Sequence, residues 1–159
     1  MKILLPVDGS ALSLHETRFA LRLVQEGLKA EFVLANVQEP ASFYERLTAR
    51  DDQEMLANVA LEAGADSMAA SARLLESFNV PYETAVLTGD PVPAILELIE
   101  SYGCDMVVMG SRALGLVRTA LEGSTSSKLV QDSPVPVLLV KPPEVEDYDI
   151  EGQDAADEA

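Results

Sequence analysis

Five short apolar runs that alternate with segments of helical spacing constrain the fold of this chain more than any other feature. The runs have the length of strands and are bounded by turn residues. Because parallel strands that are buried on both faces read as continuous apolar runs, the alternation predicts an α/β fold. We expect a mostly parallel sheet with helices on both faces. The predicted strands are Lys2–Val7, Glu31–Val37, Tyr82–Leu87, Asp105–Met109 and Val135–Val140.

Four segments between the strands have helical periodicity. The first is expected to be capped by Ser10 or Ser13, and Asp90-Pro91 is a typical helix start. Gly64 falls inside the second segment, where it marks a bend or is merely tolerated. In the first helix the apolar residues with helical spacing are Leu14, Phe19, Leu21, Leu23, Val24 and Leu28. The predicted helices are Leu12–Leu28, Asp51–Phe78, Val92–Tyr102 and Gly123 to Val130 or Gln131, and Pro40–Arg50 is expected to be irregular.

Length and composition exclude several classes of protein. The 159 residues suffice for one domain, and no run approaches 18 apolar residues, so we expect no membrane span. The N-terminus lacks the long apolar region of a secretory signal. One cysteine, Cys104, and one histidine, His15, argue against a disulfide and a zinc site, and both residues are expected to have packing or surface roles. A cytoplasmic location is the natural reading.

The net charge of −16 disfavours nucleic acid as a partner, because phosphate backbones attract Lys and Arg. Part of the charge is local, since Glu144–Ala159 carries eight carboxylates and no cation. Such a segment cannot bury enough apolar surface to become ordered. We therefore expect a folded domain over residues 1–141 and an acidic disordered tail over residues 142–159. The alternative is that the tail docks onto a basic partner.

Two glycine turns indicate a site for an anion. The fourth strand ends at Gly110, and Gly123-Ser124-Thr125-Ser126 follows 13 positions later. Main-chain amides without a side chain in front of them can reach a phosphate, and a helix that opens at Gly123 would direct its dipole at the same group. The motif is not a Walker A loop, because no Lys follows Gly123. The alternative is that Gly110 only ends a strand and the hydroxyls only cap a helix.

The chain also resembles the universal stress protein family from Met1 to Lys141. The resemblance is carried by Pro6-Val7-Asp8-Gly9-Ser10, by Gly89-Asp90-Pro91, by the segment Cys104–Arg112 and by Ser133–Val140. It implies a Rossmann-like three-layer fold whose five-stranded parallel sheet has the strand order 3-2-1-4-5. The ATP-binding branch of the family carries the pattern G-x2-G-x9-G-[ST].

The resemblance also implies which residues would bind a nucleotide. Pro6 and Val7 would line the base pocket, Asp8 would contact the adenine or ribose, and Val37 would pack on the adenine. Met109 and Gly110 would approach the ribose and phosphates. Arg112 would help to neutralise the phosphates, unless it is a solvated surface residue, and Asp8 would instead cap the first helix if no ligand binds. The phosphates would be held by Gly123, Ser124, Thr125 and Ser126.

One position departs from the family pattern. Ala113 stands where the ATP-binding branch has its second glycine, and Gly115 lies two residues further on. If the backbone at Ala113 needs a positive φ, the methyl group costs roughly 1–2 kcal/mol. Either the loop adopts an ordinary φ and ATP still binds, or the site has lost its nucleotide. The retained Gly110 and Gly123-Ser124 favour binding.

Three functional hypotheses follow. The first is an ATP-binding regulator, with ADP and AMP as alternative ligands and Mg²⁺ bound with the nucleotide. The second is a nucleotide-free dimeric adaptor of the same fold. The third is a slow ATP hydrolase, which is disfavoured because no base is paired with a nucleophile in a recognisable motif. The protein partner is unknown. An apolar last strand at a sheet edge predicts a homodimer through Val135–Val140.

Overall fold

A computed structural model describes residues 1–38, 53–111 and 125–143 of the chain. Within these ranges strands and helices alternate, as the apolar runs predict. The strands are β1 (Lys2–Pro6), β2 (Glu31–Gln38), β3 (Tyr82–Thr88), β4 (Met106–Gly110) and β5 (Val137–Val140). The helices are α1 (Ala11–Gln25), α2 (Gln53–Ser77), α3 (Pro91–Tyr102) and α4 (Thr125–Asp132).

The strands form one parallel sheet with the order β3-β2-β1-β4-β5, which confirms the predicted fold class. β1 lies in the centre, where Leu4 is paired with Val33 of β2 and Val107 of β4. The carboxyl end of β4 reaches the edge strand, because Gly110 is paired with Val140. Because β1 and β4 are parallel neighbours, their carboxyl ends lie at the same edge of the sheet.

Apolar side chains alternate between the two faces of the sheet and build a core on each. On one face Leu4, Val107 and Met109 pack with residues of α3 and α4 such as Ile95 and Leu129. On the other face the strands pack against α1 and α2. Each core is complete only when helices cover the sheet, which is why a parallel sheet of this kind folds as three layers.

The buried stripe of α1 differs from its apolar stripe. The buried residues recur at helical spacing but are mostly small or polar: Ser13, Glu16, Thr17, Ala20 and Leu21. Of the apolar residues with helical spacing, only Leu21 is fully buried, whereas Leu14, Phe19, Leu23, Val24 and Leu28 are half-buried. Part of this stripe faces α2, where Thr17 Oγ1 lies 2.9 Å from Ser71 Oγ. At this point a hydrogen bond between hydroxyls joins the two helices, whereas Ala20 and Leu21 belong to the apolar core.

The helix starts were predicted from local chemistry, and the structure confirms two of them. The Ser10 hydroxyl accepts a hydrogen bond from the Ser13 amide and caps α1. The Asp90 carboxylate accepts from the Val92 amide, and Pro91 occupies the first turn of α3. α3 ends at Gly103, whose φ of 63° is left-handed.

Gly64 is more than merely tolerated in α2, which continues through it from Gln53 to Ser77. A Cβ atom there would lie 2.7 Å from each Val86 methyl carbon of β3 and 3.3 Å from Asn36 Oδ1 of β2. The missing side chain therefore lets α2 pack directly on the sheet. None of the helices in the described ranges is long and apolar enough to cross a membrane.

Candidate functional site

The candidate site lies where β1 and β4 end side by side. The chain leaves β1 for β2 and β3 on one side of the sheet and returns to place β4 and β5 on the other side. This makes the β1–β4 boundary the point at which the strand order reverses. In open parallel sheets ligands bind outside the carboxyl ends of the strands at such a point. Of the two glycine turns singled out in the sequence, the first begins here, because β4 ends at Gly110, while Gly123 lies outside the described residues.

Asp8 follows β1 and has a half-buried carboxylate. Its Oδ1 accepts a hydrogen bond of 2.9 Å from the Ser10 amide. Burial raises the pKa of Asp8, but hydrogen bonds from Ser10 and Ser13 outweigh it and hold the pKa below its ordinary value. Asp8 is therefore ionised at neutral pH and can accept hydrogen bonds from the hydroxyls of a ligand. It is not the cap of α1, because Ser10 has that role.

The apolar residues assigned to the nucleotide are part of the cores that flank this edge. Val7 is fully buried on the face that α1 and α2 cover, and Met109 is fully buried on the opposite face. Pro6 is also buried, at the end of β1. Val37 is half-buried near the end of β2 and contacts the same core as Met109. Of these residues, Val37 has the most surface left for a ligand.

Gly110 ends β4, but its amide already has a partner. The N–H of Gly110 donates a hydrogen bond to Glu16 Oε2 of α1. A Cβ atom at Gly110 would lie 2.8 Å from Leu12 Cγ and 3.0 Å from Glu16 Oε2. The expectation that this amide stands unobstructed for a phosphate is therefore wrong. The glycine is needed because α1 packs against it. The next amide, of Ser111, donates to the carbonyl of Val140 at 2.8 Å.

Glu16 is a residue of this edge that the sequence analysis missed. Its side chain is 0 % exposed, and Oε1 has no hydrogen-bond partner among the described residues. Burial raises the pKa of Glu16 to about 9, the charge of Asp8 adds to the increase, and the Gly110 amide opposes it. The sequence held a signal, because Glu16 falls in the helical stripe between Ser13 and Ala20, which is buried.

The first turn of α4 lies against the end of β4. The Ser126 hydroxyl donates a hydrogen bond of 3.2 Å to the carbonyl of Ser111, and Ser126 is buried. This contact brings Ser126 to the edge that Asp8 and Gly110 share. The acceptor belongs to the end of β4 and not to α4, so this hydrogen bond is not the helix cap that the alternative reading expects. Thr125 is the first residue of α4. The assigned residues Arg112, Ala113, Gly123 and Ser124 lie outside the described residues.

This edge has features that suit a nucleotide. An ionised carboxylate follows the central strand and can accept hydrogen bonds from ribose hydroxyls, and a helix begins next to β4. In the described part of the chain no three His, Cys, Asp or Glu side chains are grouped so as to hold a metal ion. A Mg²⁺ ion that accompanies a nucleotide commonly keeps several waters and binds through the phosphates, so it does not require such a cluster.

Comparisons with known proteins agree with this fold. Residues 1–141 match the model of the universal stress protein family. A universal stress protein of Methanocaldococcus jannaschii is 29 % identical over 145 residues, which cover 91 % of this chain and 84 % of that protein.

Two solved structures share the fold at low sequence identity. A family member from Arabidopsis thaliana with AMP bound has a TM-score of 0.62 at 19 % identity and covers 89 % of this chain and 91 % of its own. A universal stress protein in complex with cAMP has a TM-score of 0.55 at 23 % identity, with coverages of 89 % and 96 %. The family match spans most of the residues from which the sheet and both helical layers are built. The chain therefore belongs to the universal stress protein family.

Proposed function

We propose that this protein is a regulatory module that binds an adenine nucleotide at the β1–β4 edge. ATP with Mg²⁺ is the ligand that the sequence motif favours, and ADP and AMP are the alternatives. Two neighbours of the same fold were solved with AMP and with cAMP, which supports an adenine nucleotide as the ligand class. The observation that carries the proposal is the ionised carboxylate of Asp8 at the point where the strand order reverses.

The described residues suggest a division of roles. Asp8 would accept hydrogen bonds from the ribose hydroxyls, since an ionised carboxylate is an acceptor only. Val37 would offer apolar surface to the base. The phosphates would extend toward the start of α4, where the positive end of the helix dipole favours an anion. Because the amides of Gly110 and Ser111 are occupied, we assign phosphate contacts to Gly123, Ser124 and Thr125 rather than to the end of β4.

Binding of a nucleotide would act on the segment between β4 and α4. We propose that the bound nucleotide fixes the loop from Ser111 to Glu122 and so changes the surface that a partner protein meets. Ala113 falls in this loop. Replacement of Ala113 by Gly tests whether the methyl group of the alanine lowers the affinity for the nucleotide. Equal affinities for the variant and the unchanged chain would show that the alanine is harmless.

A direct test uses the ribose hydroxyl that Asp8 is proposed to recognise. ATP and 2′-deoxy-ATP are titrated into the unchanged chain and into Asp8→Asn by calorimetry. We expect Asp8→Asn to lower the affinity for ATP by about 10-fold, because one charge-assisted hydrogen bond is lost. The unchanged chain should bind 2′-deoxy-ATP more weakly than ATP, whereas Asp8→Asn should bind the two nucleotides with similar affinities.

The matched control is Asp105→Asn at the opposite edge of the sheet. Asp105 Oδ2 accepts a hydrogen bond from the amide of Lys2 at 2.8 Å, so the substitution has the same chemistry far from the site. ATP affinity should be nearly unchanged in this variant. Equal weakening by both variants would count against the assigned site. The lack of any binding at millimolar ATP, ADP or AMP, with no nucleotide released from the purified protein, would overturn the proposal.

One observation favours a second candidate, the nucleotide-free dimeric adaptor. The two amides at the end of β4 already have protein partners, so fewer donors remain for phosphates than the motif suggests. In that case the contacts at the carboxyl edge would serve only to hold α1 against the end of β4. The titrations above separate the two functions, because an adaptor would bind none of the nucleotides and yet retain its oligomeric state.

A further inference from the structure

Glu16 lies beneath the proposed site and has no role in the family-based assignment. It is in the second turn of α1, and its carboxyl group reaches the main chain of Gly110, 94 positions away in sequence. Oε2 accepts the Gly110 N–H, while the buried Oε1 has no partner among the described residues. One oxygen of this carboxyl is thus bonded to the end of β4, and the other is available to carry a proton.

The surroundings of Glu16 disfavour a negative charge. A buried carboxylate requires a cation or several donors, and its free energy of transfer from water is otherwise unfavourable by several kcal/mol. Glu16 has a single neutral donor, and the ion pairs found among the described residues both involve Lys2 at the other edge of the sheet. The neutral acid therefore matches the geometry, with Oε2 as acceptor and Oε1 as the hydroxyl.

Among the described residues, none of the elements that face Glu16 forms an ion pair with it. After β1, Asp8 contributes a negative charge that further disfavours ionisation. β4 contributes Gly110, which has no side chain. α2 faces α1 with the Ser71 hydroxyl, bonded to Thr17. On α1 itself the nearest titratable residues in sequence are half-buried His15 and exposed Arg18, and neither forms an ion pair or hydrogen bond with Glu16 in the structure.

We propose that Glu16 is a positioning residue whose protonation couples the end of β4 to anion binding at the same edge. The neutral acid supports Gly110 without placing a charge under the nucleotide. Loss of its proton leaves a buried carboxylate next to Asp8, where it repels an approaching phosphate. By linkage, a bound phosphate must in turn favour the protonated form of Glu16. The anion-binding part of this inference rests on the proposed function, whereas the coupling to Gly110 does not.

The first experiment needs no ligand. The amide resonance of Gly110 is followed by NMR in the full chain between pH 6 and pH 10. It should shift with an apparent midpoint close to the pKa of about 9 that burial gives Glu16. In Glu16→Gln, which keeps an acceptor oxygen but cannot ionise, the shift should be absent. A Gly110 resonance that titrates identically in both proteins, or in neither, would overturn the coupling.

The second experiment measures AMP affinity from pH 8 to pH 10, a range in which the AMP phosphate is already a dianion. In the unchanged chain the affinity should fall about tenfold over this range, since a group with a midpoint near 9 is about nine-tenths ionised at pH 10. In Glu16→Gln the affinity should be constant with pH. Glu26→Gln, at the exposed end of α1, is the control and should show the same decline as the unchanged chain.

The outcomes separate the two proposals. If AMP binds and its affinity declines equally in the unchanged chain and in Glu16→Gln, the inference about Glu16 falls and the proposed function stands. If AMP binds to neither protein at pH 8, nucleotide binding and the anion-binding part of the inference fall together. In that event a Gly110 titration that disappears in Glu16→Gln still identifies Glu16 as the positioning residue of β4.

Discussion

At the residue scale, the missing side chain of Gly64 decides how closely α2 lies on the sheet. The Val86 methyl carbons would lie only 2.7 Å from an added Cβ, closer than carbon atoms pack without displacement. We expect Gly64→Ala to lower the free energy of unfolding by about 1–3 kcal/mol, the usual cost of overpacking, despite the better helix propensity of alanine. Denaturant unfolding followed by circular dichroism measures this change.

The control for Gly64 is a double-mutant cycle with Val86→Ala. The truncated Val86 removes the atoms with which the new methyl group clashes, so Gly64→Ala should cost much less in that background. An equal cost in both backgrounds would mean that the close approach of α2 to β3 is not the reason for the glycine.

Glu16 provides the second prediction at this scale, which concerns stability and pH. The folded pKa of Glu16 is raised to about 9, above that of an unfolded glutamate, so the folded state holds an extra proton between these values. The stability contribution of the protonated carboxyl is complete below the unfolded pKa and is lost as the pH rises toward 9. Relative to Glu16→Gln, the chain should lose up to about 1.4 kcal/mol of unfolding free energy per pH unit in this interval.

This prediction is measured as the difference between two series of denaturant titrations from pH 5 to pH 9. Subtraction of the Glu16→Gln series removes the contributions of the other titrating groups. Parallel stability profiles would show that Glu16 has the same protonation in the folded and unfolded states. A difference that grows with pH in the opposite direction would indicate a folded state that favours the carboxylate.

At the element scale, the signals that predicted the structure correctly are local. Asp90-Pro91 and Ser10 mark helix starts because a capping side chain bonds amides two or three residues away, so the cause lies within a few residues of sequence. The start of β5 was predicted two residues early, at Val135. Pro136 has no amide to donate, although its carbonyl accepts from Val107, and the regular strand begins only at Val137.

The candidate site was predicted less completely than the fold, because its contacts join distant parts of the chain. Gly110 was expected at the end of the fourth strand from the sequence alone, and it lies there. That the Gly110 amide is bonded to Glu16 could not be inferred from spacing, since it depends on how α1 packs across β4. The burial of Thr17 in the same stripe likewise depends on a distant partner, the Ser71 hydroxyl of α2.

The cap of α3 gives a prediction for an element. Asp90 accepts from the Val92 amide at 3.3 Å, and the helix packs on the sheet through buried Ile95 and Leu98. Asp90→Ala should lower the unfolding free energy by about 0.5–2 kcal/mol. Asp90→Ser should be nearly as stable as the unchanged chain, because serine also caps helices well. Thermal unfolding of the two variants tests this. Equal loss in both would assign the effect to something other than the capping hydrogen bond.

At the scale of the whole molecule, we propose that the acidic segment over residues 142–159 is separate from the folded domain. Residues 144–159 lie outside the described residues, while the family match ends at residue 141. A chain that ends at Pro143 loses eight carboxylates and should keep the melting temperature of the full chain within a few degrees at moderate salt, where the charges are screened. A large drop in melting temperature would show that the tail packs on the domain.

The edge of the sheet is the other feature that belongs to the whole molecule. β5 lies at the end of the strand order, and its Leu139 is 42 % exposed, so an apolar strand is left with one unpaired side. We propose that a second copy of the chain pairs with Val135–Val140. Two-fold symmetry would then cover the β5 edge of each copy. Leu139→Lys should then shift the mass measured by light scattering from dimer to monomer at micromolar concentration, because a charge would be buried at the seam.

Met55→Lys, at a 60 % exposed position of α2, is the matched control and should leave the mass unchanged. A monomer mass for the unchanged chain would exclude the seam, and a dimer that persists in Leu139→Lys would place the interface on another surface.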